Sequence, residues 1–191
     1  MQVQQLAVTG GYAFTPEPLH DKRGLFVSPM QEKPFRDAVG HTFVVAQSNH
    51  IQSVRGALRG VHFTTTPPGQ EKYVYCMRGR ALDVIVDIRV GSPTFGAWDA
   101  VELDSESFRA MYFPRGTAHA FLALEDDTVM SYLVTTGYRP ELEKAIDPYD
   151  RELGLPWPAD VDVVLSERDT IAPSLREAER LGLLPRYSDC R

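Results

Sequence analysis

Two polar side chains on neighbouring predicted strands are the first sign of chemistry in this sequence. His62 lies in the segment Leu58–Phe63, and Lys72 lies in the next predicted strand. An imidazole can exchange a proton near neutral pH, and an ammonium group can stabilise a nearby oxyanion. A base beside a cation is what enolisation of a ketone requires. Taken alone, His62 could instead be a hydrogen-bonded core histidine, and Lys72 a solvated lysine of an edge strand.

Three further residues have both a chemical and a structural interpretation. His119 follows the turn Pro114–Thr117, which places it either near a barrel mouth or in solvent. Tyr132 is a candidate acid, and also an ordinary core tyrosine. Asp169 is a candidate partner for a base, but it stands in capping-box spacing after Ser166. On their own, Tyr132 and Asp169 favour the structural interpretation.

The histidines do not form a metal-binding pattern. Metal-binding cupins are similar to this chain at Pro114–His119, but their first motif offers a His-x-His pair and a downstream acid. Here His62 is followed by Phe63 and Thr64. Two histidines without a third nearby ligand make a poor metal site. We therefore expect no metal and no cofactor.

These residues are spread over a chain that is rich in predicted strands. Short segments containing Val, Tyr, Phe or Ile alternate with turn residues, as is typical of strands. The predicted strands are Gly11–Phe14, Gly24–Pro29, Phe43–His50, Ala57–Phe63, Gln70–Arg78, Ala81–Arg89, Ala97–Leu103, Ala110–Phe113, His119–Ala123, Thr128–Thr135 and Val161–Val164. Helices are predicted only at Gln31–Val39, before Gly40, and at Ser174–Leu181. Many strands with few helices predict an all-β sandwich or barrel, and the jelly roll is favoured.

Alternation along the strands decides which side chains can face the interior. Lys72 and Tyr132 each share a strand face with small apolar residues, as expected inside a ligand-holding barrel. Arg59 and His62 are three residues apart, so they face opposite ways in a regular strand. Either a bulge at Gly60 turns both inward, or only one of them lines the pocket.

Length, charge and cysteine content narrow the classes of protein. The 191 residues, 43% hydrophobic, predict one domain over 1–191. The net charge is −6, and no run of lysines and arginines is present, which counts against nucleic acid and basic membrane contacts. No window has the apolar length of a membrane span or a signal core. Two cysteines, Cys76 and Cys190, predict a reducing compartment, and we expect the cytoplasm.

Several segments occur in a fixed order that is specific as a set. They are Leu58–Phe63, Gln70–Lys72, Asp83–Arg89 with Ser92–Gly96, Pro114–Phe121, Tyr132 with Thr135, Thr136 and Tyr138, and Leu155–Pro158. In this order, from about Phe14 to about Asp169, the chain resembles the dTDP-4-dehydrorhamnose 3,5-epimerase family, in particular its antibiotic-deoxysugar branch. The resemblance implies an all-β, cupin-like jelly-roll β-barrel with a few short helices, mainly C-terminal. It also implies a metal-free homodimer that acts on a dTDP-4-keto-6-deoxyhexose.

The same resemblance implies roles for individual residues. His62 would be the base, oriented by Asp169. Lys72 would stabilise the enolate oxygen, and Tyr132 would be the acid on the opposite face of the sugar. The substrate-contact positions that it implies are Arg59, His119, Gln47, Asn49 and Tyr138. Arg23 and Phe26 match an N-terminal segment, here 1–30, that in family dimers reaches the neighbouring subunit's nucleotide, and a helical segment is expected at 166–187.

The chain also departs from the family pattern. Val27 and Ser28 follow Phe26 where an acidic residue is usual, and Thr64–Thr66 stand where a glutamine is typical. The resemblance implies epimerisation at C3, at C5 or at both, and these changes favour a single centre. The alternatives are a dTDP-4-keto-hexose 3,4-ketoisomerase, a non-catalytic sugar-nucleotide-binding cupin and, third, a metal-dependent oxygenase. A base and an acid on opposite faces, His62 and Tyr132, favour the epimerase.

Overall fold

Short strands joined by tight turns make up most of the computed structural model, which describes residues 1–190. The strands are β1 Gln2–Gln5, β2 Tyr12–Thr15, β3 Leu19–Asp21, β4 Gly24–Phe26, β5 Gln47–Ser53, β6 Leu58–Thr64, β7 Lys72–Arg78, β8 Arg80–Val86, β9 Trp98–Asp104, β10 Ala110–Phe113, β11 Ala118–Ala123, β12 Thr128–Val134 and β13 Glu143–Ala145. The α-helices are α1 Glu32–Val39, α2 Glu167–Thr170 and α3 Leu175–Arg180, and 3₁₀ turns lie at Pro140–Leu142 and Tyr187–Cys190. The predicted all-β architecture with a few short helices is confirmed.

The strands form two large antiparallel sheets and one hairpin. One sheet has six strands in the order β1-β2-β10-β7-β12-β5, and the other has five in the order β13-β6-β11-β8-β9. Strands β3 and β4 form a separate hairpin. The two large sheets pack face to face as open layers. Neighbours that are distant in sequence, such as β10 beside β2 and β7, give the crossed connections of a jelly roll.

Alternating side chains place three apolar clusters on the faces of these sheets. Between the sheets lies a core that includes Val74, Met111 and Phe121. The outer face of the six-stranded sheet packs Tyr73 against Phe35 of α1. The outer face of the five-stranded sheet is covered by the C-terminal segment, including α3. The opposite placement of neighbours in β7 agrees with the strand parity predicted from the sequence.

The main errors of the sequence-based assignment concern short or edge segments. The predicted strand Val161–Val164 is wrong, because only Val164 forms an isolated bridge, with Ala57. The predicted strand Phe43–His50 begins only at Gln47. Strands β1, β3 and β13 were not predicted, since β1 is polar and exposed and the other two have three residues each.

Candidate active site

A cavity of about 220 Å³ between the two sheets collects most of the polar residues singled out in the sequence. Eight of the eleven predicted site residues line it: Gln47, Asn49, Arg59, His62, Lys72, His119, Tyr132 and Tyr138. The wall also contains Ile51, Gln70, Phe121, Val134, Glu143 and Arg168. Asp169 lies behind the wall, whereas Arg23 and Phe26 lie apart from it.

His62 is joined to a buried carboxylate. Its Nε2 lies 2.5 Å from Oδ1 of Asp169, which is buried, and Ser166 Oγ donates to the other carboxylate oxygen at 2.8 Å. Ser166 also caps α2, so the capping interpretation of the Ser166–Asp169 spacing is correct as well. Because Nε2 is bound to Asp169, Nδ1 is the ring nitrogen left to act as a base.

Burial and hydrogen bonding act in opposite directions on this pair. Burial lowers the pKa of His62, and the Asp169 carboxylate offsets only part of that effect. For Asp169, burial is outweighed by the hydrogen bonds from His62 and Ser166 and by nearby positive charge, so its pKa lies below the usual value. Asp169 is therefore held as a carboxylate, and the imidazole is held in its neutral, basic form at neutral pH.

A bulge at Gly60 turns both Arg59 and His62 into the cavity. His62 pairs with His119 and Arg59 pairs with Phe121, so β6 has one more residue than β11 between these pairs. Gly60 has φ of +124°, and a Cβ there would lie 2.6 Å from the backbone of β11. The first of the two sequence alternatives is thus correct, and glycine is required at this position.

Tyr132 and His62 occupy opposite walls of the cavity. Tyr132 belongs to β12 of the six-stranded sheet, and His62 belongs to β6 of the five-stranded sheet. Burial, opposed by Arg59 and supported by Glu143, raises the pKa of Tyr132, so the phenol is protonated at neutral pH. A ring bound between these walls would have a base on one face and a proton donor on the other.

A buried carboxylate that the sequence did not single out as a site residue, Asp83, binds His119 and acts electrostatically on Lys72. Lys72 is only 9% exposed, and burial lowers its pKa, whereas Glu143 and Asp83 raise it. His119 Nε2 lies 2.6 Å from Oδ1 of Asp83, which is completely buried. Burial raises the pKa of Asp83, and the charges of His119 and Lys72 partly reverse that effect.

Glu143 and Arg168 also line the cavity but were missed in the sequence. Glu143 lies on β13, which is too short to give a recognisable pattern, and its Oε1 accepts a hydrogen bond from Thr64 Oγ1 at 2.9 Å. Arg168 directly precedes Asp169 in α2, and its Nη2 donates to the Lys144 carbonyl at 3.0 Å. In the sequence, the position of Arg168 next to Asp169 was the one available sign that Arg168 belongs to the site.

The predicted residues at the mouth and on the hairpin differ in their surroundings. Gln47 Nε2 donates to Asn49 Oδ1 at 2.6 Å, and the Gln47 Oε1 accepts from the Tyr138 backbone at 3.0 Å. The Tyr138 side chain is exposed at this mouth. Arg23 pairs with Asp21 on the β3–β4 hairpin, and the neighbouring Phe26 is 67% exposed. Their expected contact is with a second subunit, so that contact remains a prediction.

Two kinds of feature are absent from residues 1–190. No three His, Cys, Asp or Glu side chains are grouped so that they could hold a metal ion. No helix in this part of the chain is long and apolar enough to cross a membrane.

Comparison with known proteins gives one consistent family. The family model for dTDP-4-dehydrorhamnose 3,5-epimerase matches residues 5–177. A dTDP-4-dehydro-6-deoxyglucose 3-epimerase from a Streptomyces species is 50% identical over 182 residues, 95% of this chain and 93% of that protein.

Two solved structures are similar over almost their whole length. One is a 4-keto-6-deoxy sugar epimerase from the novobiocin biosynthetic gene cluster of Streptomyces spheroides, with a TM-score of 0.96 and 43% identity over 100% of this chain and 96% of that one. The other is a 3'-monoepimerase from Streptomyces bikiniensis in complex with dTDP, with a TM-score of 0.93 and 46% identity over 97% and 93%. That protein is a double mutant in which a histidine is replaced by asparagine and a tyrosine by phenylalanine. The expected cupin-like fold is thereby confirmed, and the chain belongs to the dTDP-4-dehydrorhamnose 3,5-epimerase family of sugar-nucleotide isomerases.

Proposed function

We propose that this chain inverts C3 of a dTDP-4-keto-6-deoxyhexose by removing a proton to form an enolate and returning one to the opposite face. The observation that carries the proposal is the placement of His62 and Tyr132 on opposite walls of one cavity. Inversion needs a base and an acid on different faces of the ring, whereas binding alone needs neither. Two relatives, a 3-epimerase and a 3'-monoepimerase, support C3 as the centre.

The proposed reaction follows from the charge states of the side chains. The C4 ketone acidifies the C3 hydrogen, and neutral His62 takes that proton as Asp169 stabilises the resulting imidazolium. The electrons move to the C4 oxygen, where the Lys72 ammonium stabilises the enolate. Tyr132 then donates its phenolic proton to C3 from the other wall. The imidazolium and the phenolate exchange protons with solvent before the next turnover.

The double mutant of the Streptomyces bikiniensis protein supports the choice of acid and base. Its two replaced residues, a histidine and a tyrosine, are 70 positions apart, as His62 and Tyr132 are in this chain. That relative was crystallised with dTDP. The agreement in type and spacing supports the same pair as the reacting groups here.

The remaining cavity residues suit the rest of the substrate. The guanidinium groups of Arg59 and Arg168 can hold a diphosphate by charge-assisted hydrogen bonds. Gln47 and Asn49 offer polar contacts near the mouth of the cavity. The exposed Tyr138 ring offers a surface on which the thymine ring can stack. His119, fixed by Asp83, can donate to the sugar. The proposed reaction needs no cofactor, because side chains of this chain supply the base, the acid and the cation.

The proposal includes a homodimer of one-domain subunits. Leu19, Leu25 and Phe26 expose apolar side chains on the β3–β4 hairpin beside Arg23, and such a patch is suited to a partner surface. In the dimer, Arg23 and Phe26 would reach the partner subunit's nucleotide.

Cys76 and Cys190 are both free thiols, which supports a reducing compartment such as the cytoplasm.

Incubation with dTDP-4-keto-6-deoxyglucose in heavy water tests the function. We expect proton NMR to show deuterium at C3 of an inverted product, with the carbonyl still at C4. Stoichiometric label at both C3 and C5 would identify a 3,5-epimerase instead. A carbonyl that has moved to C3 would identify a 3,4-ketoisomerase. Binding of dTDP without any exchange would identify a sugar-nucleotide-binding protein.

A further inference from the structure

The position of Lys72 creates an electrostatic problem for the proposed reaction. Its side chain points from β7 into the space between the sheets and is only 9% exposed. Burial favours the neutral amine over the ammonium ion. A neutral amine would stabilise an enolate poorly, so the protein must supply negative charge near Lys72.

Asp83 supplies one such charge from the five-stranded sheet. It lies on β8 and is completely buried, and its Oδ1 is bound to His119. Its Oδ2 is buried and has no hydrogen-bond partner within residues 1–190. An unpartnered carboxylate oxygen is costly to bury unless it interacts with a nearby cation. The charge of Lys72 favours the carboxylate form of Asp83 and offsets part of this cost, and the charge of Asp83 in turn favours the ammonium form of Lys72.

Glu143 supplies a second charge from the edge strand β13. Thr64 Oγ1 holds one carboxylate oxygen at 2.9 Å, so the side chain is fixed in the cavity wall. Thr64 belongs to the threonine run in which this chain departs from the family pattern. The Glu143 charge acts on both Lys72 and Tyr132, and it favours the protonated form of each.

Titratable groups of both charges surround Lys72. The groups that face it or share its cavity are His62 on β6, Asp83 on β8, His119 on β11, Tyr132 on β12, Tyr138 after β12, Glu143 on β13, and the cations Arg59 and Arg168. Arg168 lowers the pKa of Lys72 and thus opposes the two carboxylates. The carboxylates are the groups in this set that favour the ammonium form.

We propose that Asp83 and Glu143 are positioning residues that keep the buried Lys72 in its ammonium form, ready to receive the charge of the enolate oxygen. This inference rests on the proposed function for its catalytic consequence. The protonation state itself can be measured in the free protein. Neither carboxylate needs to contact the reacting atoms.

Lysine NMR on the ligand-free protein is the direct test. The chain has four lysines, Lys22, Lys33, Lys72 and Lys144, so a [ε-¹³C]lysine sample gives few signals, and Lys72→Met assigns the buried one. We expect Glu143→Gln and Asp83→Asn each to lower the titration midpoint of Lys72 by about one pH unit or more. Glu152→Gln, which removes an exposed carboxylate paired with Arg176, should leave that midpoint unchanged. A midpoint that moves by less than about 0.3 unit in the site variants overturns the proposal.

The activity readout separates this proposal from the proposed function. The alkaline limb of kcat/KM should move to lower pH in Glu143→Gln, and Glu143→Asp should restore it. Asp83→Asn should move the same limb in the same direction, and in this variant the effect of the Glu143 charge on Tyr132 is unchanged. If Asp83→Asn does not fold, Glu143→Gln alone is the test. A shifted Lys72 titration with an unmoved alkaline limb overturns the link to catalysis. If the wild-type protein does not epimerise, the proposed function fails, whereas the NMR result still decides the charge state of Lys72.

Discussion

Replacing Asp169 by asparagine should strongly reduce turnover while leaving substrate binding nearly intact. Asp169 lies behind the cavity wall, and its Oδ1 is 2.5 Å from His62 Nε2. A charge-assisted hydrogen bond of this kind contributes about 1.5–3 kcal/mol. Since each 1.36 kcal/mol is a tenfold change in rate, loss of the carboxylate should lower kcat by about 10–150-fold. The Asn amide can also stabilise the wrong imidazole tautomer, which adds to the loss.

The same substitution has a defined effect on the pH profile. His62 must be neutral to act as a base, so its pKa sets the acid limb of kcat/KM. Burial lowers this pKa, and the Asp169 carboxylate partly raises it again. The acid limb of the wild-type protein should therefore lie below pH 6.5, the ordinary value for histidine. Removal of the carboxylate should move the limb to still lower pH.

Steady-state kinetics across a pH series will decide this prediction. The matched control is Asp37→Asn, which removes an exposed carboxylate that pairs with Lys33 on α1 and should leave kcat unchanged. A loss of kcat below about threefold in Asp169→Asn, or an acid limb that moves to higher pH, would show that this carboxylate does not support His62 as the base.

Three other substitutions test the bulge at Gly60, the buried Arg89–Asp87 ion pair and the proposed contact of Arg168 with the diphosphate. Gly60→Ala should lower both kcat and stability, the latter by about 3–5 kcal/mol, because its Cβ would clash with β11 and the alanine would be strained at a positive φ. Gly91→Ala also places an alanine at a positive φ, +86°, but in open space, so urea unfolding should show only the backbone strain of about 1–2 kcal/mol. Equal losses in the two variants would contradict the clash at Gly60. Arg89→Met should reduce the free energy of unfolding by about 3 kcal/mol, because the buried Asp87 carboxylate loses its counter-ion and keeps only the hydrogen bonds from Ser92, Thr94 and the backbone. A loss below about 1 kcal/mol would show that the pair is not important for stability. Arg168→Gln should raise KM about tenfold with a smaller change in kcat, and an unchanged KM would remove this residue from diphosphate binding.

The parts of the site that the sequence predicted are those that follow from strand periodicity. Lys72 and Tyr132 each share a strand face with apolar residues at every second position of β7 and β12. Both face the interior as expected. The family resemblance added the pairing of His62 with Asp169, which are far apart in sequence. For Asp169 the local signal was a helix cap, and the structure gives it both contacts.

The parts that were missed depend on geometry that no local pattern encodes. Whether Gly60 would bulge could not be decided, because a glycine in a strand permits a bulge without requiring one. In the sequence, Asp83 is a single polar residue in a predicted strand. Only the packing of the sheets brings it near Lys72. Glu143 belongs to a strand of three residues that forms only because β6 offers a free edge.

Isotope exchange by two single variants tests the central claim that His62 and Tyr132 act from opposite faces. In heavy water, His62→Asn should abolish incorporation of deuterium at C3 of dTDP-4-keto-6-deoxyglucose. Tyr132→Phe should still exchange that hydrogen but return it to the original face, so that labelled substrate forms without inverted product. Inverted product from Tyr132→Phe at the wild-type rate, or exchange at C3 by His62→Asn as fast as in the wild-type protein, would contradict these roles for the two residues.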